Sequence, residues 1–489
     1  MASLANYISG EWQSMDAGES SPVVNPATAE KLANVPIDGG ASATKAIEAA
    51  SKAFVDWKQT PPGERIQYLF KFKNLLEENF DELATIVTQE NGKTLAESKG
   101  ELRRGIENVE VACGIPTMMQ GYNLEDIARG IDEIMVRQPL GVVAVITPFN
   151  FPLMIPLWFL PYAIACGNTL VLKPSEKVPL SVQRLVQLLE QTGLPSGVVN
   201  LANGGKGVVD VMIEHPAVRA ISFVGSTPVA RYIYGKGSQH GKRVQCQGGA
   251  KNHVVIMPDA EMETTTKIVS DSAFGCAGQR CLAVSTVVTV GEAHKPFRDA
   301  IVDVASAIQV GSGLDGDVGM GPVITPDSKS RIEGAIATGL GEGATPALDG
   351  RGVSVANLEY GNFVGPTVLD GVARDSALST TEIFGPVLSL TQAGSLDEAI
   401  DIIAKNPYGN ASSIFTASGA AARKFRNQVS TGNVGVNIGV AAPMAYFPFS
   451  GWKDSFFGVS HGQGRDAIEF YTDKKVIVER WPKEWSRKF

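Results

Sequence analysis

The sequence predicts an α/β protein organised around a parallel, doubly wound sheet. Two observations carry this expectation. Four short apolar runs follow one another, GVVAVI at 141–146, TLVLK at 169–173, VVNLA at 198–202 and AISFVG at 220–225. Each has the β-branched content of a buried strand. Their starts lie about 22 to 29 residues apart, and helical stretches such as PLSVQRLVQLLEQTG at 179–193 fill the intervals, as repeated strand–helix–strand units require.

The elements follow in order. The first 40 residues hold the turn signals SGEW, DAGESSP and NPATAE and predict short strands and loops. Residues 42–56, SATKAIEAASKAFVD, carry Ala, Ile and Phe at helical spacing. Over 63–80, Ile66, Leu69, Phe70 and Leu76 fall near one helical face. Helical patterns continue from 81 to about 113, so the first quarter is mainly helical. The longest apolar stretch, FPLMIPLWFLPYAIAC at 151–166, is too short for a membrane span and contains Pro152, Pro156 and Pro161. It predicts a buried helix. The opening residues MASLANYISGEWQ lack the charged-then-apolar layout of a signal peptide. A cytoplasmic protein, not associated with membranes, is expected.

Composition narrows the function classes. The chain has 489 residues, room for roughly three domains and a sizeable core. Its 43 Lys+Arg against 51 Asp+Glu give a net charge of −8, which argues against a general nucleic-acid binder. With 19% charged and 44% hydrophobic residues, a mostly disordered chain is excluded. Five cysteines, an odd number without a C-x-x-C pair, predict free thiols in a reducing compartment. The five histidines lack zinc-ligand spacing, so no metal site is expected.

Ligands of doubly wound sheets bind beyond the carboxyl ends of the strands. The segments there are TPFNFP at 147–152, KPSEK at 173–177 and GST at 225–227, the last opening a helix. Neither a G-x-G-x-x-G after the first strand nor a Walker A loop is present. Lys173 and Glu176 suit a phosphate and ribose hydroxyls, and a Gly-Ser turn at a helix start offers N–H groups to a phosphate. On its residues alone, GST reads more readily as an ordinary N-cap. The segment FGCAGQRCLA at 274–283 holds two cysteines in a Gly-bearing loop beside Arg280. A neighbouring guanidinium lowers a thiol pKa and makes thiolate available, although either cysteine alone reads as a small buried hydrophobe. TEIFGPV at 381–387 places Glu382 before a turn, and NPYGNASSIFT at 406–416 predicts a turn into a strand.

Together these segments resemble the aldehyde dehydrogenase superfamily from about residue 7 to 480. TPFNFP, GNTLVLKPSE (167–176), FVGST (223–227), GQRC (278–281), EIFGPV (382–387) and NPYGN (406–410) stand in that family's order and spacing. The resemblance implies NAD(P)-dependent aldehyde oxidation. It also implies a Rossmann-type NAD-binding domain (1–118 and 140–249), an α/β catalytic domain (250–467) and a β oligomerisation arm (119–139 and 468–489), assembled as a homotetramer or homodimer. Cys281 matches the nucleophile, which leaves Cys276 to packing. Asn150, with the Cys281 backbone N–H, matches the oxyanion hole. Lys173 and Glu176 match the adenosine-ribose ligands, Gly225 and Ser226 the pyrophosphate turn, and Glu382 the nicotinamide-ribose carboxylate. Thr147, Phe149, Lys177 and Gly248 complete the cofactor set, and Ala230 stands where the family has a second glycine. Glu176 should repel a 2′-phosphate, favouring NAD over NADP.

One departure is informative. Hydrolytic members carry a glutamate in an E-L-G-G segment that activates water. Here VQCQGGAKNH at 244–253 puts Cys246 at that position. Losing a general base should slow hydrolysis by about 10²–10⁴-fold, whereas the more acidic thiol of coenzyme A needs less help. Gly249–His253 (GAKNH), MIPLWFLPYAIACGN (154–168), RRGIENVEVAC (103–113) and EFYTDKK (469–475) resemble the CoA-acylating methylmalonate-semialdehyde dehydrogenase subgroup. That resemblance assigns Arg104 and Arg280 to the substrate carboxylate, a task suited to guanidinium forks. On its own, Arg104 reads as a helix-surface ion pair. The reaction implied is oxidation of methylmalonate or malonate semialdehyde, using NAD and coenzyme A. It yields propionyl-CoA or acetyl-CoA with loss of CO2 through a thioacyl-cysteine. The alternative is a non-acylating dehydrogenase that releases a carboxylic acid. Residues 436–458, at the substrate entrance, resemble the subgroup less closely, and Cys246 is open to a packing or a redox role.

Overall fold

The computed structural model describes residues 2–14 and 19–481. Residues 15–18 of the first turn-rich segment and 482–489 of the expected arm lie outside the described residues. An eight-stranded sheet contains the four strands read from the sequence, β1 (Val142–Ile146), β2 (Thr169–Lys173), β3 (Val199–Leu201) and β4 (Val218–Val224). It also contains β5 (Arg243–Gln247). These five run parallel in the order 5-4-1-2-3. Strands Ala5–Ile8 and Glu11–Ser14 extend the sheet beyond β3, and Phe456–Phe457 closes the other edge, all antiparallel to their neighbours. Strand order reverses between β4 and β1, so the loops after these two strands flank the crevice that such a reversal opens.

The central strands are apolar and fully buried because helices cover both faces. Helix α1 (Leu95–Cys113) packs on α2 (Met154–Ala165), whose residues from Ile155 to Ala165 are all buried. That is the buried helix expected over 151–166. Pro156 falls in its first turn, where a missing N–H costs no helical bond. The helix Pro62–Glu78 corrects one expectation. Leu69, Phe72 and Leu76 are buried, whereas Phe70 is 48% exposed. Phe70 sits about 100° around the helix from Leu69, which carries it off the buried stripe.

A second, seven-stranded sheet follows: β6 (Asn252–Ile256), β7 (Val284–Val290), β8 (Thr367–Asp370), β9 (Val387–Ala393), β10 (Ala411–Phe415) and β11 (Asn433–Val436). They run parallel in the order 8-9-7-6-10-11, with Thr345–Leu348 antiparallel on the β8 edge. The chain crosses from one sheet to the other through residues 248–251. A third, antiparallel sheet joins Tyr122–Ala128, Ile131–Pro139 and Thr472–Glu479, and exposes Tyr122, Leu124, Val476 and Val478. Among the described residues, no helix is long and apolar enough to cross a membrane. All five cysteines are free.

Candidate active site

The site is built outward from the start of α1. Thr94 Oγ1 accepts the Glu97 N–H at 3.3 Å, and Glu97 Oε2 accepts the Thr94 N–H at 2.9 Å, a reciprocal capping box. Glu97 Oε1 faces the other way. It accepts the Cys276 N–H at 2.5 Å and an Arg280 N–H at 3.2 Å. The next turn brings Glu101, whose Oε2 pairs with Lys93 Nζ at 2.6 Å in full burial. Glu101 Oε1 accepts the N–H groups of Leu153 and Met154 at 2.8 and 3.1 Å. Lys93 Nζ also donates to the Asn150 carbonyl at 2.5 Å, so one ion pair grips the 150–154 segment at both ends. Arg104 follows on the same helical face.

The cysteine loop leaves α4 (Met262–Phe274). Cys276 and Ala277 both take φ of +51°, a left-handed backbone uncommon outside glycine. Gly278 is required by contact: at φ +69°, a Cβ there would lie 2.1 Å from the Gly385 carbonyl oxygen. The GQRC backbone therefore lies directly against the FGPV turn. Asn150 Nδ2 donates to the Gln279 carbonyl at 3.0 Å. The Cys281 carbonyl accepts two side-chain amides, Asn252 Nδ2 at 2.8 Å and Asn410 Nδ2 at 2.7 Å. Cys281 itself opens onto a cavity of about 290 Å³, walled by Phe151, Trp158 and Phe449 and carrying Arg104 and Arg280.

Arg280 acts to lower both neighbouring thiols, but burial outweighs it. Arg280 Nε donates to Cys276 Sγ at 3.2 Å, and its charge is paired with Glu97. Burial pushes the Cys281 thiol up to about 12, the Glu382 charge adds to this, and Arg280 offsets only a little. Cys276 is thus the partner of Arg280 within the cavity wall. Cys246 lies on β5 between Phe223 and Phe457, fully buried and outside the cavity lining. Burial alone raises its thiol. Arg104 donates to the Pro443 carbonyl at 2.7 Å and to Glu107 at 2.9 Å.

The remaining predicted residues end or follow β1, β2, β4 and β5, or lie on the Glu382 loop. Lys173 Nζ meets Glu176 Oε2 at 3.0 Å. Burial raises the Glu176 carboxyl, but Lys173, the Glu176 backbone N–H and Lys177 together outweigh it and hold the group below the usual range. Phe149 packs edge-on to Phe384 at 5.8 Å, with Lys177 Nζ 5.3 Å from the Phe149 ring centroid. A Cβ at Gly225 would lie 2.4 Å from the Phe223 ring. Ser226 occupies the N-cap of α3 (Thr227–Gln239), as GST read on its residues, but its side chain makes no capping bond. Thr147 Oγ1 is buried without a hydrogen-bond partner among the described residues. Gly248 N–H donates to the Ser455 carbonyl at 2.8 Å, and Glu382 Oε1 accepts the Ala250 N–H at 2.8 Å. An uncapped helix start, an orphaned hydroxyl and the absence of a Cβ at Gly225 suit a dinucleotide phosphate. No group of three or more potential metal-ligating side chains occurs among the described residues.

The chain matches the Aldehyde dehydrogenase family over residues 12–477. It belongs to that family. It is 48% identical to a malonate-semialdehyde dehydrogenase from Halalkalibacterium halodurans, over 98% of both chains. Among solved structures it is similar to a methylmalonate-semialdehyde dehydrogenase from Oceanimonas doudoroffii, with 43% identity, a TM-score of 0.98 and 100% of both chains covered. A Sinorhizobium meliloti protein, crystallised with NAD and described as a methylmalonate-semialdehyde dehydrogenase, has 42% identity, a TM-score of 0.97 and 99% coverage of each chain.

In this aldehyde dehydrogenase, one cavity joins Cys281, Arg104 and Arg280, with Asn150 bonded to the adjoining loop. Of the cofactor candidates, Thr147 and Phe149 follow β1, Lys173 ends β2 and Gly225 and Ser226 follow β4, at the carboxyl ends of the first sheet. Sequence reasoning missed Lys93, Glu97, Glu101 and Asn252. It quoted Asn410 only as part of a turn. Thr94-x-x-Glu97 carried a readable signal, a capping box. The others act through buried polar bonds that leave no periodic trace.

Proposed function

We propose that this aldehyde dehydrogenase is a CoA-acylating enzyme that oxidises malonate or methylmalonate semialdehyde with NAD. The observation that carries the reading is the pair Arg104 and Arg280 on the wall of the cavity that holds Cys281. A 3-oxo acid has its carboxylate close to its aldehyde, and guanidinium groups bind carboxylates in fork geometry.

The Cys281 thiolate attacks the aldehyde carbon and forms a thiohemiacetal. Asn150 uses one amide N–H on the Gln279 carbonyl and offers the other to the oxyanion beside the Cys281 backbone N–H. When bound, NAD supplies the hydride acceptor. The residues that would hold it are Lys173 and Glu176 at the adenosine ribose, Gly225 and Ser226 at the pyrophosphate and Glu382 at the nicotinamide ribose, with Thr147, Phe149, Lys177 and Gly248 around them. The resulting thioacyl-Cys281 still carries the substrate carboxylate. Its carbon–carboxylate bond breaks, CO2 leaves and the electron pair moves into the thioester as an enolate, which the same oxyanion donors stabilise. A proton is added at carbon. The thiolate of coenzyme A attacks the thioester carbonyl, the bond to Cys281 Sγ breaks, and acetyl-CoA or propionyl-CoA departs. Water competes poorly because the sequence position of the hydrolytic glutamate holds Cys246, a buried thiol outside the cavity that supplies no base.

Domains at 1–118 with 140–249, 250–467, and 119–139 with 468–489 accompany this reading. The exposed apolar residues of the third sheet suit a homodimer or homotetramer contact, and five free thiols suit the cytoplasm. The test is NADH formation from both semialdehydes, with and without coenzyme A, using propionaldehyde as the control without a carboxylate. Multiple turnover only with coenzyme A, and preference for the acids, are expected. Equal turnover without coenzyme A overturns the acylating assignment.

A further inference from the structure

Lys251 is a buried cation with no task in the chemistry above. It is 2% exposed, and its Nζ has no hydrogen-bond partner among the described residues. A buried ammonium is costly unless a charge compensates it. Lys251 ends the 248–251 crossing between the two sheets, directly after Ala250, whose N–H bonds Glu382 Oε1 at 2.8 Å. A Cβ at Gly249 would lie 2.5 Å from Glu382 Oε2, so that carboxylate rests flat against the crossing. The charges of Lys251 and Arg331 both act favourably on it. Arg331 is engaged elsewhere, donating to the Ile383 carbonyl. Cys281 and Tyr408 also face Glu382. The charges of Lys251 and Lys453 both act on His253, which also bonds the Lys251 backbone.

We infer that Lys251 is the counter-charge that keeps Glu382 in its carboxylate form for the nicotinamide ribose, which makes it a positioning residue for cofactor binding. The inference rests on the reading of Glu382 as the ribose ligand. Ribose hydroxyls donate most strongly to an ionised acceptor. Burial pushes the Glu382 carboxyl up to about 7, against the pull of the Ala250 N–H, Lys251 and Arg331. Burial lowers Lys251 to about 8, so Lys251 carries its charge at neutral pH, where Glu382 titrates. His253, pushed down to about 3, is neutral there and does not compete. Removing the lysine charge moves Glu382 further up and leaves less carboxylate at pH 7.

The experiment is the NAD dissociation constant from pH 6 to 9 for the wild type, Lys251→Met, Lys251→Gln, Lys251→Arg and Glu382→Gln. Wild-type affinity rises through about pH 7. In Lys251→Met the rise moves to higher pH, so binding is weaker than wild type at pH 7 and near normal at pH 9. Lys251→Gln gives the same shift if the Met variant does not fold, and Lys251→Arg restores the wild-type midpoint. An equal loss at every pH, or no loss, in the neutral variants overturns the inference. If Glu382→Gln keeps wild-type affinity and pH profile, the ribose reading itself fails, whatever the lysine variants do.

Discussion

Asn410 lies 129 residues from Cys281 in the chain, yet its side-chain amide donates to the Cys281 carbonyl at 2.7 Å. With Asn252 on the same oxygen at 2.8 Å, it fixes the backbone that carries Cys281, the proposed nucleophile, and its N–H. Asn410→Ala removes one of the two amides and is expected to cost about 1–1.5 kcal/mol in alignment, or roughly tenfold in kcat/KM. NAD affinity should not change. Steady-state kinetics beside a cofactor titration checks both parts.

Arg104 should act on acids alone. Arg104→Leu is expected to raise KM for malonate semialdehyde by about 10- to 100-fold, the effect of losing a charged hydrogen-bonding group of 1.5–3 kcal/mol. Propionaldehyde kinetics should stay within about twofold of wild type. A parallel loss on both substrates would mark Arg104 as a helix brace through Pro443 and Glu107.

Thiol reactivity without cofactor has a defined sign. Burial and the Glu382 charge both raise the Cys281 thiol, up to about 12. Alkylation by iodoacetamide should therefore be slow at pH 7 and climb steadily to pH 9. Glu382→Gln removes a charge that disfavours thiolate, so its rate at pH 8 should exceed the wild-type rate. A slower rate would show that Glu382 instead takes the thiol proton.

The Lys93–Glu101 pair is fully buried at 2.6 Å. Removing one partner leaves the other uncompensated, so Lys93→Met or Glu101→Leu should cost about 3–5 kcal/mol of stability. The double variant should cost less than the two single losses combined. Denaturant midpoints measure this, and kcat of the folded fraction should also fall as the segment carrying Asn150 loosens.

Much of the fold was legible because the central strands are buried on both faces and read as unbroken apolar runs. β5 was not legible. Gln245 and Gln247 interrupt it, and they are buried only because Ser222 Oγ and the Phe449 carbonyl accept their amides at 2.8 Å. Such partners lie far along the chain. The same reason hides Lys93, Glu101 and Asn252. Phe70 was misplaced because a face judged loosely admits a residue about 100° away. Arg280 shares the cavity with Cys281 as its sequence adjacency suggested, but its guanidinium hydrogen-bonds Cys276 Sγ, a pairing four residues back that adjacency does not reveal.

The clamp on Cys281 also sets a timetable. A ribosome adds roughly 5–20 residues per second, so Asn410 emerges about 6 to 26 s after the cysteine it must hold, 129 residues earlier. Throughout that interval the thiol is outside its finished pocket and lacks one of its two amides. A nascent or truncated chain ending before NPYGN therefore presents an ordinary, freely accessible cysteine in place of one set half-buried in a cavity wall. Oxidative damage to this enzyme should concentrate on unfinished chains, and the completed fold should be its own protection.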